Sequence, residues 1–190
     1  MIIKIANLLA LLLSEAWFIK NPDFEPGILF IGFLSSLIYQ EYNDYKNTHV
    51  EKNSFDKQLF TNFLNDLPSI GGGIEFIRDF DFSNSFPIDN LDDLRNFARN
   101  WDSAEHEFKN DELEKIRKEL LQLIHQFSYD ISMKSAPKHN GFQSVIPSHI
   151  EDWNLPDEIK QDIIHLNDLG DKIYLKHQEL IRTATKQLHL

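Results

Sequence analysis

Arg99 and His106 are the pair in this sequence most suited to chemistry, because a fixed guanidinium can hold a phosphate while an imidazole moves a proton. Six residues separate them, in the run from Arg99 to Phe108 that also contains Trp101, Glu105 and Glu107. A spacing this short fixes little, and with eight His in the chain it recurs by chance. The plainer reading packs Trp101 and Phe108 inward and leaves Glu105 and His106 to close a helix end.

Metal binding is the second chemistry to weigh. His106 lies near Glu105, Glu107 and Asp111, and His165 has Asp162 and Asp168 at i−3 and i+3 of one predicted helix. Zinc or manganese accepts such ligands. Neither group has the paired His spacing that makes a helical metal motif specific, so no metal and no cofactor is expected. Gly71 to Gly73 lacks the Lys and the Ser or Thr of a phosphate-cradling loop, and neither a dinucleotide fingerprint nor a serine elbow is present. The absence of Cys removes disulfides, thiolate metal sites and cysteine nucleophiles. A formal net charge of −11 argues against gripping nucleic acid by its phosphates, so direct nucleic-acid binding is not expected.

The elements that would position these residues read as helices from about 49 to 190. Phe55, Leu59, Phe60, Phe63, Leu64 and Leu67 recur at three- and four-residue spacing until Pro68. Residues 74 to 82 are too short and too aromatic to assign to helix or strand. A helix capped by Asp89 or Asn90 carries Leu94, Phe97, Ala98 and Trp101, another runs from about Asp111 to Met133, and the last from about Pro156 to Gln187. Gly170 inside it costs about 1 kcal/mol relative to Ala. Between Ser135 and Pro156 lies a long loop in which Phe142 and Trp153 are candidate partner-binding residues.

The first 48 residues differ in kind. Ile5 to Ile19 and Ile28 to Tyr39 are mostly apolar, and the acidic connector between them holds Pro22 and Pro26. Ser14, Glu15 and Ala16 fit a signal-peptidase site, but Glu15 and Trp17 crowd it and the second apolar run remains unexplained. The expectation is therefore an antiparallel two-helix membrane hairpin over 1–48, followed by a cytoplasmic α-helical bundle over 49–190, an all-α protein of the inner membrane. Tyr39, with Tyr42 and Tyr45, would sit at headgroup level. Gly32, Ser35 and Ser36 offer a small-residue face for helix contact, and Glu15 is an acid that must pair, snorkel or face a wet cavity. The alternative is a helical pair buried in a water-soluble protein.

The segment Pro22 to Pro26, with Leu67 to Ser69, Phe76 to Phe82 and Trp101 to Phe108, resembles small two-segment bacterial membrane proteins. Some similar proteins are effectors of antiphage systems, including retron-type ones. The resemblance implies a membrane-disrupting effector, oligomeric, in contact with the lipid bilayer, and silenced by a regulatory protein or nucleoprotein complex from the same operon. No catalytic residue carries over. Two other functions are open: a membrane-tethered ribonuclease using Arg99 and His106, and a non-enzymatic adaptor.

Overall fold

Among the described residues six α-helices account for most of the structure: α1 (Ile2–Lys20), α2 (Phe24–Asp66), α3 (Gly73–Asp79), α4 (Asp92–Trp101), α5 (Asp111–Lys134) and α6 (Asp157–Leu188). The computed structural model describes residues 2–20, 24–150 and 154–190, with side chains at all of these except 2, 3, 24–26, 48, 49 and 140. It divides into two compact units, Met1–Lys52 and Asn53–Leu190.

One helix replaces the two expected between Gly27 and Leu67. Between Gly32 and Leu67 there is neither Pro nor Gly, and the polar stretch from Gln40 to Gln58 is mostly made of residues that a helix tolerates, so α2 continues for 43 residues. Its residues up to Lys52 belong to the first unit and those from Asn53 to the second.

The second unit is built on α5 and α6, with α3 and α4 packed beside them. Phe63 lies at the centre of its aromatic core, edge-on to Phe97 at 5.6 Å and to Trp101 at 5.6 Å. A second aromatic group joins Phe76, Phe80, Phe82 and Phe86, and Phe82 meets Phe127 of α5. Two glycines permit the close helix approaches. A Cβ on Gly73 would lie 2.8 Å from Leu94 Cγ, and one on Gly170 would lie 2.9 Å from the Ile77 carbonyl oxygen. Gly170 is thus the point where α3 presses on α6. Its cost to the helix is offset by that contact.

The all-α expectation fits a mostly helical chain, to which β1 (Phe86–Pro87), β2 (Ala136–Pro137) and β3 (Phe142–Ser144) add a short three-stranded antiparallel sheet in the order β1-β3-β2. The long loop after α5 therefore has regular structure where Phe142 pairs with Pro87. More important, no helix among the described residues is long and apolar enough to cross a membrane. Lys4, Asn7, Ser14 and Glu15 interrupt α1. The apolar part of α2 ends at Tyr39 after about 20 Å, against a hydrocarbon thickness of about 30 Å. The transmembrane hairpin and the inner-membrane anchoring inferred from sequence are set aside on this finding.

Candidate functional site

In the first unit, α1 and α2 lie antiparallel, as the pairing of early with late residues requires. Lys4 Nζ is 2.7 Å from Glu41 Oε1 and 2.7 Å from Asp44 Oδ2, and Asn7 Nδ2 donates to Ser36 Oγ at 3.1 Å. At the other end, Gly27 lies against the Phe18 ring. Asp44 and then Glu41 hold the Lys4 ammonium above its usual pKa range.

Burial within this hairpin follows helical spacing, but with polarity reversed. The less exposed side of α1 carries Lys4, Asn7, Ala10, Leu11 and Ser14, and that of α2 carries Phe30, Phe33, Ser36, Leu37, Gln40 and Asn43. Ser14 is only 5% exposed, with its hydroxyl donating to the Leu11 carbonyl. Leu13 by contrast is 71% exposed, Ile19 74%, and Ile31 and Ile38 63% each. Polar groups share the seam with Ala10, Leu11, Phe30, Phe33 and Leu37, while most of the leucines and isoleucines point away from it. Most exposed large apolar side chains of the described chain lie in this smaller unit. An outward apolar surface of this kind is the mark of an interaction site.

The residues singled out from sequence fall on both sides of the seam. Ser36 lies in it, whereas Ser35 is exposed and a Cβ on Gly32 would meet nothing within 4 Å. Glu15, Trp17 and Tyr39 are also exposed. Pro22 is outside the described residues. So is the Pro26 side chain.

The Arg99–His106 pair lies in the second unit. Arg99 is exposed on α4 and donates to Asn96 Oδ1 at 3.1 Å. His106 is in a single 3-10 turn, with its ring 4.7 Å from that of Trp101 and Nδ1 2.9 Å from Ser103 Oγ. Among the described residues no hydrogen bond or ion pair joins Arg99 to His106. Ser103 Oγ donates to the Asn100 carbonyl at 3.3 Å, which leaves it to accept from His106, opposite to the polarity that activates a nucleophile. Beside His106 is a cleft of about 260 Å³ lined by Phe55, Gln58, Leu59, Asn62 and Glu105. His106 itself lines this cleft, and Lys109 Nζ lies 5.3 Å from the ring of Phe55, another of its walls.

His165 does not gather Asp162 and Asp168 about itself. It bonds the nearly buried Asp130 at 2.7 Å, Gln126 donates to the same carboxylate at 2.8 Å, and Asp162 pairs with Lys134. Burial opposes the charge on Asp130, yet the Gln126 and His165 bonds outweigh it and hold this carboxyl below its usual range. No group of three or more His, Asp or Glu is placed to hold a metal among the described residues. Phe142, in β3, is partly exposed. Trp153 is outside the described residues.

Sequence reasoning missed the inward polar stripe, although Lys4, Asn7, Leu11 and Ser14 show its spacing of three, four and three. It also missed two buried polar groups in the second unit. Arg117, 3% exposed, forms a two-pronged pair with Glu114 at 2.8 and 2.6 Å and donates to the Trp101 carbonyl. Asp56 accepts from the backbone of Lys109 at 2.7 Å and of Asn110 at 2.9 Å, which ties α2 to the start of α5. Burial raises the Asp56 pKa, although these bonds pull the other way.

Comparison with family models, with curated proteins and with solved structures finds no match in any of the three. Function must therefore be argued from the geometry alone.

Proposed function

We propose that this protein is a non-enzymatic effector or adaptor that acts by association, with the N-terminal hairpin as its docking element. The observation that carries the reading is the reversal of polarity in the hairpin, where Asn7, Ser14 and Ser36 turn inward while Leu13, Ile19, Ile31 and Ile38 turn out. Burying a large aliphatic side chain is worth about 1.5–3 kcal/mol. A surface with this many such groups has far more to gain from a partner than the acidic exterior of the second unit. The separate hydrogen bonding of Arg99, which donates to Asn96 and not toward His106, favours this reading over ribonuclease chemistry. The resemblance to antiphage effectors adds a setting: a regulator that engages the protein until it is released. The membrane leak implied by that resemblance is not retained.

The test compares wild type with Leu13→Glu/Ile31→Glu, each expressed as the full chain in cells and separated by size from the lysate. Association through the hairpin predicts that the wild type runs in an assembly larger than one chain and that the variant leaves it. An unchanged profile would reject the reading. In parallel, purified wild type and His106→Ala are incubated with labelled RNA. Cleavage by the first and not the second would establish the ribonuclease instead.

A further inference from the structure

We infer that the partner seated on the outward face of the hairpin is the hairpin of a second copy, giving a two-fold symmetric four-helix bundle. This rests on the association proposed above and names its partner.

Area is the first argument. A covered aromatic side chain buries 150–250 Å², so half-exposed large apolar groups contribute about 100 Å² each, and the seventeen of the first unit sum to about 1,700 Å², of which the side turned to one partner is about half. A standard interface needs roughly 800 Å² from each partner. The surface is therefore large enough to sustain a dimer by itself.

Charge is the second. Between Ile5 and Ile19 the single side chain charged at neutral pH is Glu15, and between Gly27 and Gln40 there is none. Such a surface offers nothing to steer a strongly charged partner and is matched by another uncharged apolar one. This chain's own hairpin has those properties, at equal concentration by construction. Of the net charge of −11, all but two units fall after Lys52. Two copies of the acidic second unit repel one another, which leaves the near-neutral hairpin as the face through which copies can meet.

Geometry is the third. The outward residues of α1 and α2 cover runs of similar length, and antiparallel helix pairs of matched length stack with their axes inclined about 20°. An isologous pairing sets α1 and α2 of one copy against the same helices of the other, so every contact in the interface occurs twice.

Sedimentation velocity on the purified full chain in buffer free of detergent and lipid tests the proposal, with Leu13→Glu/Ile31→Glu as the variant and circular dichroism to confirm that its helices remain. The expected result is twice the chain mass at micromolar concentration for wild type and one chain mass for the variant. A wild-type monomer at tens of micromolar would overturn it, as would a dimer indifferent to the two substitutions. A monomer that floats with neutral phosphatidylcholine vesicles would also overturn it, in favour of a lipid occupant. If purified wild type is monomeric while the lysate assembly still depends on Leu13 and Ile31, the second copy is wrong and association stands. If neither assembly forms, both fail.

Discussion

Asn7 Nδ2 donates to Ser36 Oγ at 3.1 Å, and this polar contact joins the two helices of a hairpin most of whose leucines and isoleucines face outward. The bond is partly buried, and the Lys4 cluster lies one turn away.

Removing it should loosen the hairpin without touching the second unit. Asn7→Ala with Ser36→Ala, set against each single change, should give a coupling of about 0.5–1.5 kcal/mol. Amide hydrogen exchange reads this directly, as faster exchange in residues 4–45 and no change beyond residue 60. Equal acceleration in both regions would show that the seam is not an independent element.

Three glycines should answer differently to alanine. Helix propensity alone predicts a gain of about 1 kcal/mol at each. That gain is expected at Gly32, where a Cβ meets open space. At Gly73 and Gly170 the added carbon would lie 2.8 Å from Leu94 Cγ and 2.9 Å from the Ile77 carbonyl oxygen, so a loss of about 1–3 kcal/mol is expected. Chemical denaturation of the three variants gives the signs.

The Glu114–Arg117 pair predicts asymmetric damage. Glu114→Gln leaves a buried guanidinium without its carboxylate and should cost about 3 kcal/mol. Glu114→Leu with Arg117→Met removes both charges and should cost less, about 2 kcal/mol, since the Trp101 carbonyl loses its donor and the Phe108 N–H its acceptor. Burial disfavours the Glu114 charge, but Arg117 overcomes this and the carboxyl lies below its ordinary 4.5. Its stabilisation is thus complete above 4.5 and is lost as pH falls through the folded-state value. Thermal melts of Glu114→Gln between pH 3 and 5 should show a flatter acid limb than wild type.

His177 supplies a second pH dependence, at higher pH. Its ring is fully buried against Phe63 at 5.3 Å, Nε2 donates to the Leu67 carbonyl at 2.9 Å, and Nδ1 accepts from Gln178 at 3.2 Å. Burial depresses its pKa below the ordinary 6.5, and the Leu67 carbonyl pulls the other way without prevailing. A group with a depressed value favours the neutral folded state, so its contribution is full above 6.5 and declines as pH falls from there through the folded-state value. His177→Gln should be less stable at pH 8 but lose less stability between pH 7 and 5. Parallel pH profiles for the two proteins would disprove this account of the ring.

Much of the second unit was legible because its signals are local. Leu113, Leu120, Ile124 and Phe127 repeat with the helical period, Asn110 caps α5 by accepting from Glu112 and Leu113, and Pro156 marks the entry to α6. The sheet was not legible, because strands of two or three residues carry no periodicity and exist through pairing of Phe142 with Pro87 and of Ala136 with Ser144. Arg117 and His177 were illegible for a related reason. Each is buried by partners distant in sequence or one turn away that a single helix face does not reveal.

The N-terminal hairpin marks the boundary between the two kinds of information. Composition by itself determined that residues 5–39 are two apolar helical runs joined by a proline-bearing connector, since those are properties of neighbours along the chain. It could not determine which way they face, because apolar residues surround most of the α1 circumference and either a greasy or a polar seam is compatible with helical spacing. Tertiary contact decided it. The part-buried Asn7 reaches Ser36, and the exposed Lys4 reaches Glu41 and Asp44, and these contacts between the helices set the seam side that leaves Leu13 and Ile31 outward.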